Sequence, residues 1–282
     1  MTDLLPWLDH CELCPNLCRV NRRQGQTGQC RLTDGIVVSA ADLHFGEEPM
    51  LVGKSGSGAI FFTACNLSCV FCQNYDISQL DRGKEISQSR LAAIMLDLQA
   101  QGALNINLVT PTHQAAQISA ALSEARRHGL GLPIVYNCGG YENSSLLKEL
   151  EGQVQIYMPD FKYGSDRAGF EYSGVKGYNS CCKQALQEMH RQVGDLELDS
   201  RGIALGGLLI RHLVLPNRSA DSKRVIDFIA ELSLNTAVNI MDQYRPAWHA
   251  GSYRALNRRT YRHEVEEVVE YARGKGLGRL IS

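Results

Sequence analysis

No stretch of this chain stays apolar for anything near the roughly 20 residues that a membrane-spanning helix needs. Neither sign of charge dominates: 29 Lys and Arg stand against 30 Asp and Glu, a formal net charge of −1. The first absence leaves no candidate for a helical span. The second removes the global basic field that would draw the chain to nucleic acid or to an anionic membrane surface, so neither partner is expected. The stretch Met1-Thr2-Asp3-Leu4-Leu5-Pro6-Trp7 lacks a basic region followed by a long apolar one, so no leader is expected and a cytoplasmic protein is. A phosphate-binding loop is also missing. Gly53-Lys54-Ser55 ends like one, but Glu48 occupies the place of its first glycine, and a strand follows where a helix is needed. Gly53, Gly56 and Gly58 read instead as a turn into that strand.

What the chain does have is cysteine, ten in 282 residues. In a reducing compartment these argue for metal or catalytic thiols over disulfides. Three of them form Cys65-x3-Cys69-x2-Cys72, directly after the apolar run 59–62. Thiolates this close, on a loop able to wrap a cluster, suit a 4Fe-4S cluster with one cysteine on each of three irons. The fourth iron then has no protein ligand, and an open position on a metal site is where chemistry happens. The bland alternatives are three buried thiols or a zinc knuckle.

A second set, Cys11-x2-Cys14-x3-Cys18-x11-Cys30, lies among Pro15, Gly25 and Gly28 in what read as tight loops. Four thiolates make a closed site, for structural Zn²⁺ or for a second 4Fe-4S cluster; four unligated thiols are the alternative. Cys138, Cys181 and Cys182 read as buried small hydrophobes. The Cys181-Cys182 pair opens a helix, a position that can lower a thiol pKa.

With 44% hydrophobic residues, a large core is expected. After the cysteine loop, short apolar runs alternate with helical patterns. Strands are predicted at 59–63, 105–110, 134–138, 154–158, 208–215 and 237–241. Between them, apolar residues recur at helical offsets, as in Leu91, Ile94, Met95 and Leu98, or Ile118, Ala121, Leu122 and Ala125. Val225, Phe228, Ile229 and Leu232 repeat the pattern, as do Val265, Val268, Val269 and Ala272 after the last strand. Gly102 and Gly129 stop the first two helices. Six βα units with right-handed crossovers predict an α/β fold, an open, partial (β/α)6 barrel over 56–282 with a Cys-rich extension over 1–55.

Chemistry in such barrels collects at the C-terminal ends of the strands. Polar residues sit there: Thr110, Thr112 and His113, then Asn137, Asp160 with Lys162, Arg211, and Gln243. Asp160 and Lys162 share a strand face with Ile156 and Met158, so both would point inward, which a ligand would justify; a solvated ion pair on the rim is the alternative. Arg211 is costly to bury without an anion. His212 alternates to the other face and reads as a packing residue. Arg254, Arg258, Arg259 and Arg262, with Tyr253 and Tyr261, form a local basic patch, a solvated face that could dock an acidic partner.

The cysteine loop, with Phe71 just before its last cysteine, resembles the radical S-adenosylmethionine (SAM) superfamily. Phe71-Cys72-Gln73-Asn74, Thr110-Pro111-Thr112-His113, Asp160-Phe161-Lys162-Tyr163, Arg211-His212-Leu213-Val214-Leu215-Pro216 and Gln243-Tyr244-Arg245-Pro246 resemble its branch related to pyruvate formate-lyase activating enzymes. The resemblance implies a 4Fe-4S cluster on Cys65, Cys69 and Cys72 as the catalytic centre. SAM would be chelated at the open iron and cleaved reductively to methionine and a 5′-deoxyadenosyl radical. It implies SAM contacts from Phe71, Asn74, Thr110, Thr112, Asn137, Asp160, Lys162, Arg211 and Gln243, with Arg211 facing the SAM carboxylate. It also implies a low-potential electron donor of flavodoxin or ferredoxin type, and as substrate a glycine Cα of a partner protein. Radical modification of a peptide or small molecule, and a non-catalytic two-cluster electron-transfer protein, are the alternatives. One departure is visible. Where many superfamily members carry Gly-Gly-Glu to meet the SAM amino group, this chain has Val109-Thr110-Pro111-Thr112-His113, whose backbone carbonyls and threonine hydroxyls could serve.

Overall fold

The structure, a computed structural model, describes residues 3–281. Met1 and Thr2, which begin the stretch read for a leader, lie outside the described residues. Among the described residues, ten strands join in one mixed sheet: β1 (Ile36–His44), β2 (Ser57–Phe62), β3 (Lys84–Ile86), β4 (Ile106–Val109), β5 (Ile134–Cys138), β6 (Ile156–Pro159), β7 (Glu197–Leu198), β8 (Ala204–Leu213), β9 (Ala237–Met241) and β10 (Leu280–Ile281). The helices are α1 (Pro49–Val52), α2 (Tyr75–Ser78), α3 (Gln88–Ala100), α4 (Ala115–Arg127), α5 (Ser144–Glu149), α6 (Asp166–Ser173), α7 (Tyr178–Val193), α8 (Ser222–Leu232) and α9 (Arg262–Gly274). None of them is long and apolar enough to cross a membrane.

The sheet runs β10-β9-β8-β6-β5-β4-β2-β1-β3. Along that path every neighbour from β2 to β10 is parallel, and β7 pairs antiparallel with β8 off it. The six predicted strands are β2, β4, β5, β6, β8 and β9, and helices link them as parallel pairing requires. Four strands went unpredicted. β1 pairs antiparallel with β2 and carries β3 on its far side, so residues 36–44 of the cysteine-rich extension belong to the same sheet. β7 and β10 have two residues each, too few for any period to show.

Local chemistry sets the helix ends. The Ser87 side chain accepts from Arg90 N and caps α3, and Gly102, at φ +92°, follows its last turn. Gly129, at φ +95°, does the same for α4. The predicted apolar stripes face inward: Leu91, Met95 and Leu98 of α3 pack with Ile118, Ala121, Leu122 and Ala125 of α4 in one cluster. On the other face of the sheet, Val135, Ile156, Met158, Leu209 and Ala237 close around Leu51 of α1. Two residues further along those strands, at 137, 160 and 211, the same face turns polar. The Glu48–Gly53 segment thus plugs the lower interior: Leu51 O accepts from the Asn105 amide, and Glu48 Oε1 accepts from Asn239 Nδ2 at 2.8 Å.

Strand β8 starts four residues earlier than its apolar run suggests, because Gly207 lets the chain pass at φ +109° against residues 195 and 196. A Cβ there would stand 2.4 Å from Asp195 O and from Leu196 Cα. Gly207→Ala is therefore expected to cost about 2–3 kcal/mol of stability, read as an earlier midpoint in anaerobic urea unfolding; an unchanged midpoint would contradict this packing.

Candidate active site

The cysteine loop begins where β2 ends. Ala64 takes φ +68°, turning the chain out of the sheet immediately before Cys65. Having no strand or helix of its own, the loop borrows backbone partners: Ser68 N and Val70 N donate to Ser173 O and Tyr172 O, and Val70 O accepts from His249 N. The Asn66 side chain donates to Tyr141 O at 2.7 Å. These bonds hold the three sulfurs toward one cavity with about 890 Å³ of empty space, its open mouth included. Its lining brings together Cys65, Cys69, Cys72, Phe71, Asn74, Thr110, Asn137, Asp160, Lys162 and Arg211.

Each sulfur has a polar neighbour. Cys69 Sγ lies 2.9 Å from Ser173 Oγ, Cys72 Sγ lies 3.1 Å from Ser78 Oγ, and Leu67 N donates to Cys65 Sγ at 3.4 Å. Burial raises the Cys65 and Cys69 thiols above the ordinary range, so a cation at the loop is what would favour their thiolate form. Phe71 is buried, edge-on to Tyr163 and Tyr244, which makes it the apolar foot of the loop. Cys138 also contributes to the lining, but burial, with the Glu142 carboxyl nearby, keeps its thiol protonated.

Opposite the cysteines is a buried charge network. Lys162 Nζ and Arg211 Nε donate to the two Asp160 carboxylate oxygens at 2.6 and 2.9 Å. Arg211 also donates to Asn137 Oδ1 at 2.6 Å and sits 3.4 Å from Glu47 Oε2. Asp160 and Lys162 are 18% and 19% exposed, so this is not a solvated rim pair. Burial would raise the Asp160 carboxyl, but Arg211 and Lys162 outweigh it and hold it at about 2. The charge of Arg211 is met within the chain, so its burial does not itself require an external anion. With Glu47 counted, two cations face two carboxylates, so the network is balanced within the chain while Lys162 and Arg211 both line the cavity.

Thr110 lines the cavity at φ +60° while its N–H donates to Asn137 O at 2.8 Å. A β-branched residue in that region is strained, and strain of this kind gathers at functional sites. Two predicted contacts stand elsewhere. Thr112 is fully buried outside the cavity, its hydroxyl donating to Glu142 Oε1 at 2.7 Å. Gln243 is exposed beyond the cavity; its carbonyl accepts from Gln73 and its amide turns to Met241 Sδ. His212 is a packing residue: its two ring nitrogens lie 2.6 Å from Phe161 O and 2.8 Å from Ser222 Oγ, and burial pushes its pKa down to about 4. At the start of α7, burial raises both Cys181 and Cys182, overriding any helix-terminus effect. The arginine patch is half neutralised, with Arg258 on Glu264 and Arg262 on Glu266. Ser173, Ser78 and Glu47 were not foreseen, since Ser173 lies 104 residues from the sulfur it touches.

The remaining predicted set, Cys11, Cys14, Cys18 and Cys30, lines a separate small cavity with Arg22, Gly28, Gln29 and His113.

Comparison with known proteins defines the class first. SuiB of Streptococcus suis matches at a TM-score of 0.52 with 13% identity, over 77% of this chain and 46% of its own. SuiB bound to S-adenosylmethionine matches at 0.50 over 76% and 46%. The chain thus spans less than half of SuiB, and what the two share is the fold. A family model described as a 4Fe-4S single cluster domain matches residues 52–160. In sequence, the chain is 34% identical over 272 residues to uncharacterized protein MJ0674 of Methanocaldococcus jannaschii, over 93% of this chain and 74% of that one. It belongs to the same family as this archaeal protein.

Behind the cavity, Glu142 accepts from Thr112 and from Tyr136 Oη at 3.2 Å, yet burial pushes its carboxyl from 4.5 up to about 7. The folded chain then keeps a proton that the unfolded chain releases. The associated stability is full below about pH 4.5 and is lost as pH rises to about 7, on the order of 3 kcal/mol. Glu142→Gln should flatten that slope in anaerobic unfolding measured from pH 4.5 to 8; an unchanged slope would assign it to another group.

Proposed function

We propose that the cavity holds a 4Fe-4S cluster on Cys65, Cys69 and Cys72 with SAM at its open iron, and that the protein is a radical SAM enzyme. The observation that carries this reading is the meeting of three thiols and the Asp160–Lys162–Arg211 network in one cavity. The donor set fits the group. The three cysteine sulfurs have hydroxyl or amide neighbours that can stabilise bound thiolates, and the one further thiol in the lining, Cys138, is kept protonated by burial.

When bound, cluster and SAM supply reductive cleavage to methionine and a 5′-deoxyadenosyl radical that takes a hydrogen atom from substrate. The chain's part is to bind, orient and keep water out. Lys162 and Arg211, steadied by Asp160, offer positive charge for the methionine carboxylate. Thr110, fixed in its strained turn, offers backbone and hydroxyl oxygens for the amino group. Asn74 and Asn137 offer amides, and Phe71 would give a bound cluster an apolar wall. The parallel strands act as an open (β/α) barrel with their C-terminal ends toward this site. A low-potential donor of flavodoxin or ferredoxin type supplies the electron. The substrate is a glycine Cα of a partner protein, reached through the open mouth. The fold shared with SuiB, which has been seen bound to its precursor peptide SuiA, favours a peptide as the second reading.

Anaerobically reconstituted protein with SAM and a strong reductant should release 5′-deoxyadenosine, and Cys69→Ala should abolish it; product that survives in Cys69→Ala would refute the reading. Asp160→Asn leaves Lys162 without a carboxylate partner and Arg211 with Glu47 alone. It should weaken SAM binding at least about tenfold, about 1.4 kcal/mol, as measured by equilibrium binding to the loaded protein. Cluster spectra that ignore added SAM would favour the electron carrier.

A further inference from the structure

Resting on that reading of the first cysteine set, we propose that Cys11, Cys14, Cys18 and Cys30 hold a second iron–sulfur cluster in electronic contact with the first. The four sulfurs stand around a small cavity with about 310 Å³ of empty space, its open side included. They do not converge on a point: among the described residues, no three Cys, His, Asp or Glu groups close on a single ion. One zinc ion would draw each sulfur to about 2.3 Å from a common centre. Donors surround the set as they surround cluster ligands: Gln29 N on Cys18 Sγ at 3.3 Å, Asn16 Nδ2 on Cys14 Sγ at 3.6 Å, and Arg22 Nη1 at 4.0 Å from Cys11 Sγ. Gly28 leaves room that a side chain would take, since a Cβ there would lie 2.6 Å from Cys18 Sγ. His113, in the same lining, has its Nε2 2.7 Å from Thr63 O, while its buried Nδ1 has no partner in the chain.

The contact with the first set is made by three of the same residues and by Arg31. Asn16 Nδ2, the donor to Cys14, also donates to Asn66 O at 2.8 Å, next to Cys65. Gln29 Nε2 is 3.4 Å from Ser68 Oγ, next to Cys69. His113 meets Thr63 two residues before Cys65. Arg31, following Cys30, donates to Ser78 O, and Ser78 Oγ touches Cys72. Every cysteine of the open loop thus has a hydrogen-bonded route to the closed cage within one or two residues. A cluster in the cage would take one electron from a low-potential donor of ferredoxin type and, on passing it to a cluster in the loop, would return to its oxidised form.

The test uses the full chain, loaded anaerobically with iron and sulfide, with iron, zinc and sulfide counted per chain. Wild type should hold about eight irons, and the Cys65→Ala/Cys69→Ala/Cys72→Ala variant and the Cys14→Ser/Cys18→Ser variant about four each. Gly28→Ala, which keeps every ligand, should also fall toward four. Zinc in the cage, or no iron in the triple-alanine variant, would overturn the proposal. Eight irons in the triple-alanine variant would instead fault the first-site reading. In the fully reduced wild type, the electron spin resonance signals should show mutual broadening that both variants lose; two independent signals would overturn the electronic contact.

Discussion

A guanidinium inside a parallel sheet has to be answered by charge and by hydrogen bonds, and much of the site's geometry follows from how Arg211 is answered. Asp160 reaches it from the end of β6, Asn137 from β5 and Glu47 from the segment after β1. The main chain is tied at the same level, with Phe161 N donating to Arg211 O and Thr110 N to Asn137 O. Four elements distant in sequence are thereby locked in register at the level of the cavity. Lys162 is a consequence: with Asp160 already committed to Arg211, the second carboxylate oxygen is free for it.

The cysteine loop faces the opposite problem, since it carries little charge and has no regular structure. It is held by α6, by the segment around residue 249 and by the cysteine-rich extension. A flexible loop with three thiols would lose order and change its sulfur spacing easily. Backbone bonds at 68 and 70 remove that freedom at little energetic cost, because those groups need partners in any case.

The parts legible in the sequence are those with a short period or a short spacing. The six parallel strands and their helices were visible because buried parallel strands are apolar runs and helices repeat at 3.6 residues. Asn137, Asp160 and Arg211 were visible because polar residues interrupt those runs. The other strands were not: Lys84–Ile86, Glu197–Leu198 and Leu280–Ile281 are too short, and β1 mixes apolar and polar residues along one stretch. Thr112 was misplaced because the chain leaves the extended conformation at Thr110 and enters a short helical turn, so the strand period no longer applies. Gln243 likewise lies past the end of β9. Glu142 and Ser173 were illegible because what gives them a role is a contact, with Thr112 or with a cysteine 104 residues away.

The two ends of the sheet have a further consequence. Its outermost strands, β3 and β10, have three and two residues, and β3 exposes Lys84 and Glu85. Unpaired strand edges are templates on which other chains can add by backbone hydrogen bonding. Here each edge offers only a few such bonds, one of them flanked by charge. Along its described sides the sheet therefore offers few backbone groups for another strand, whereas its strand ends open onto a broad cavity.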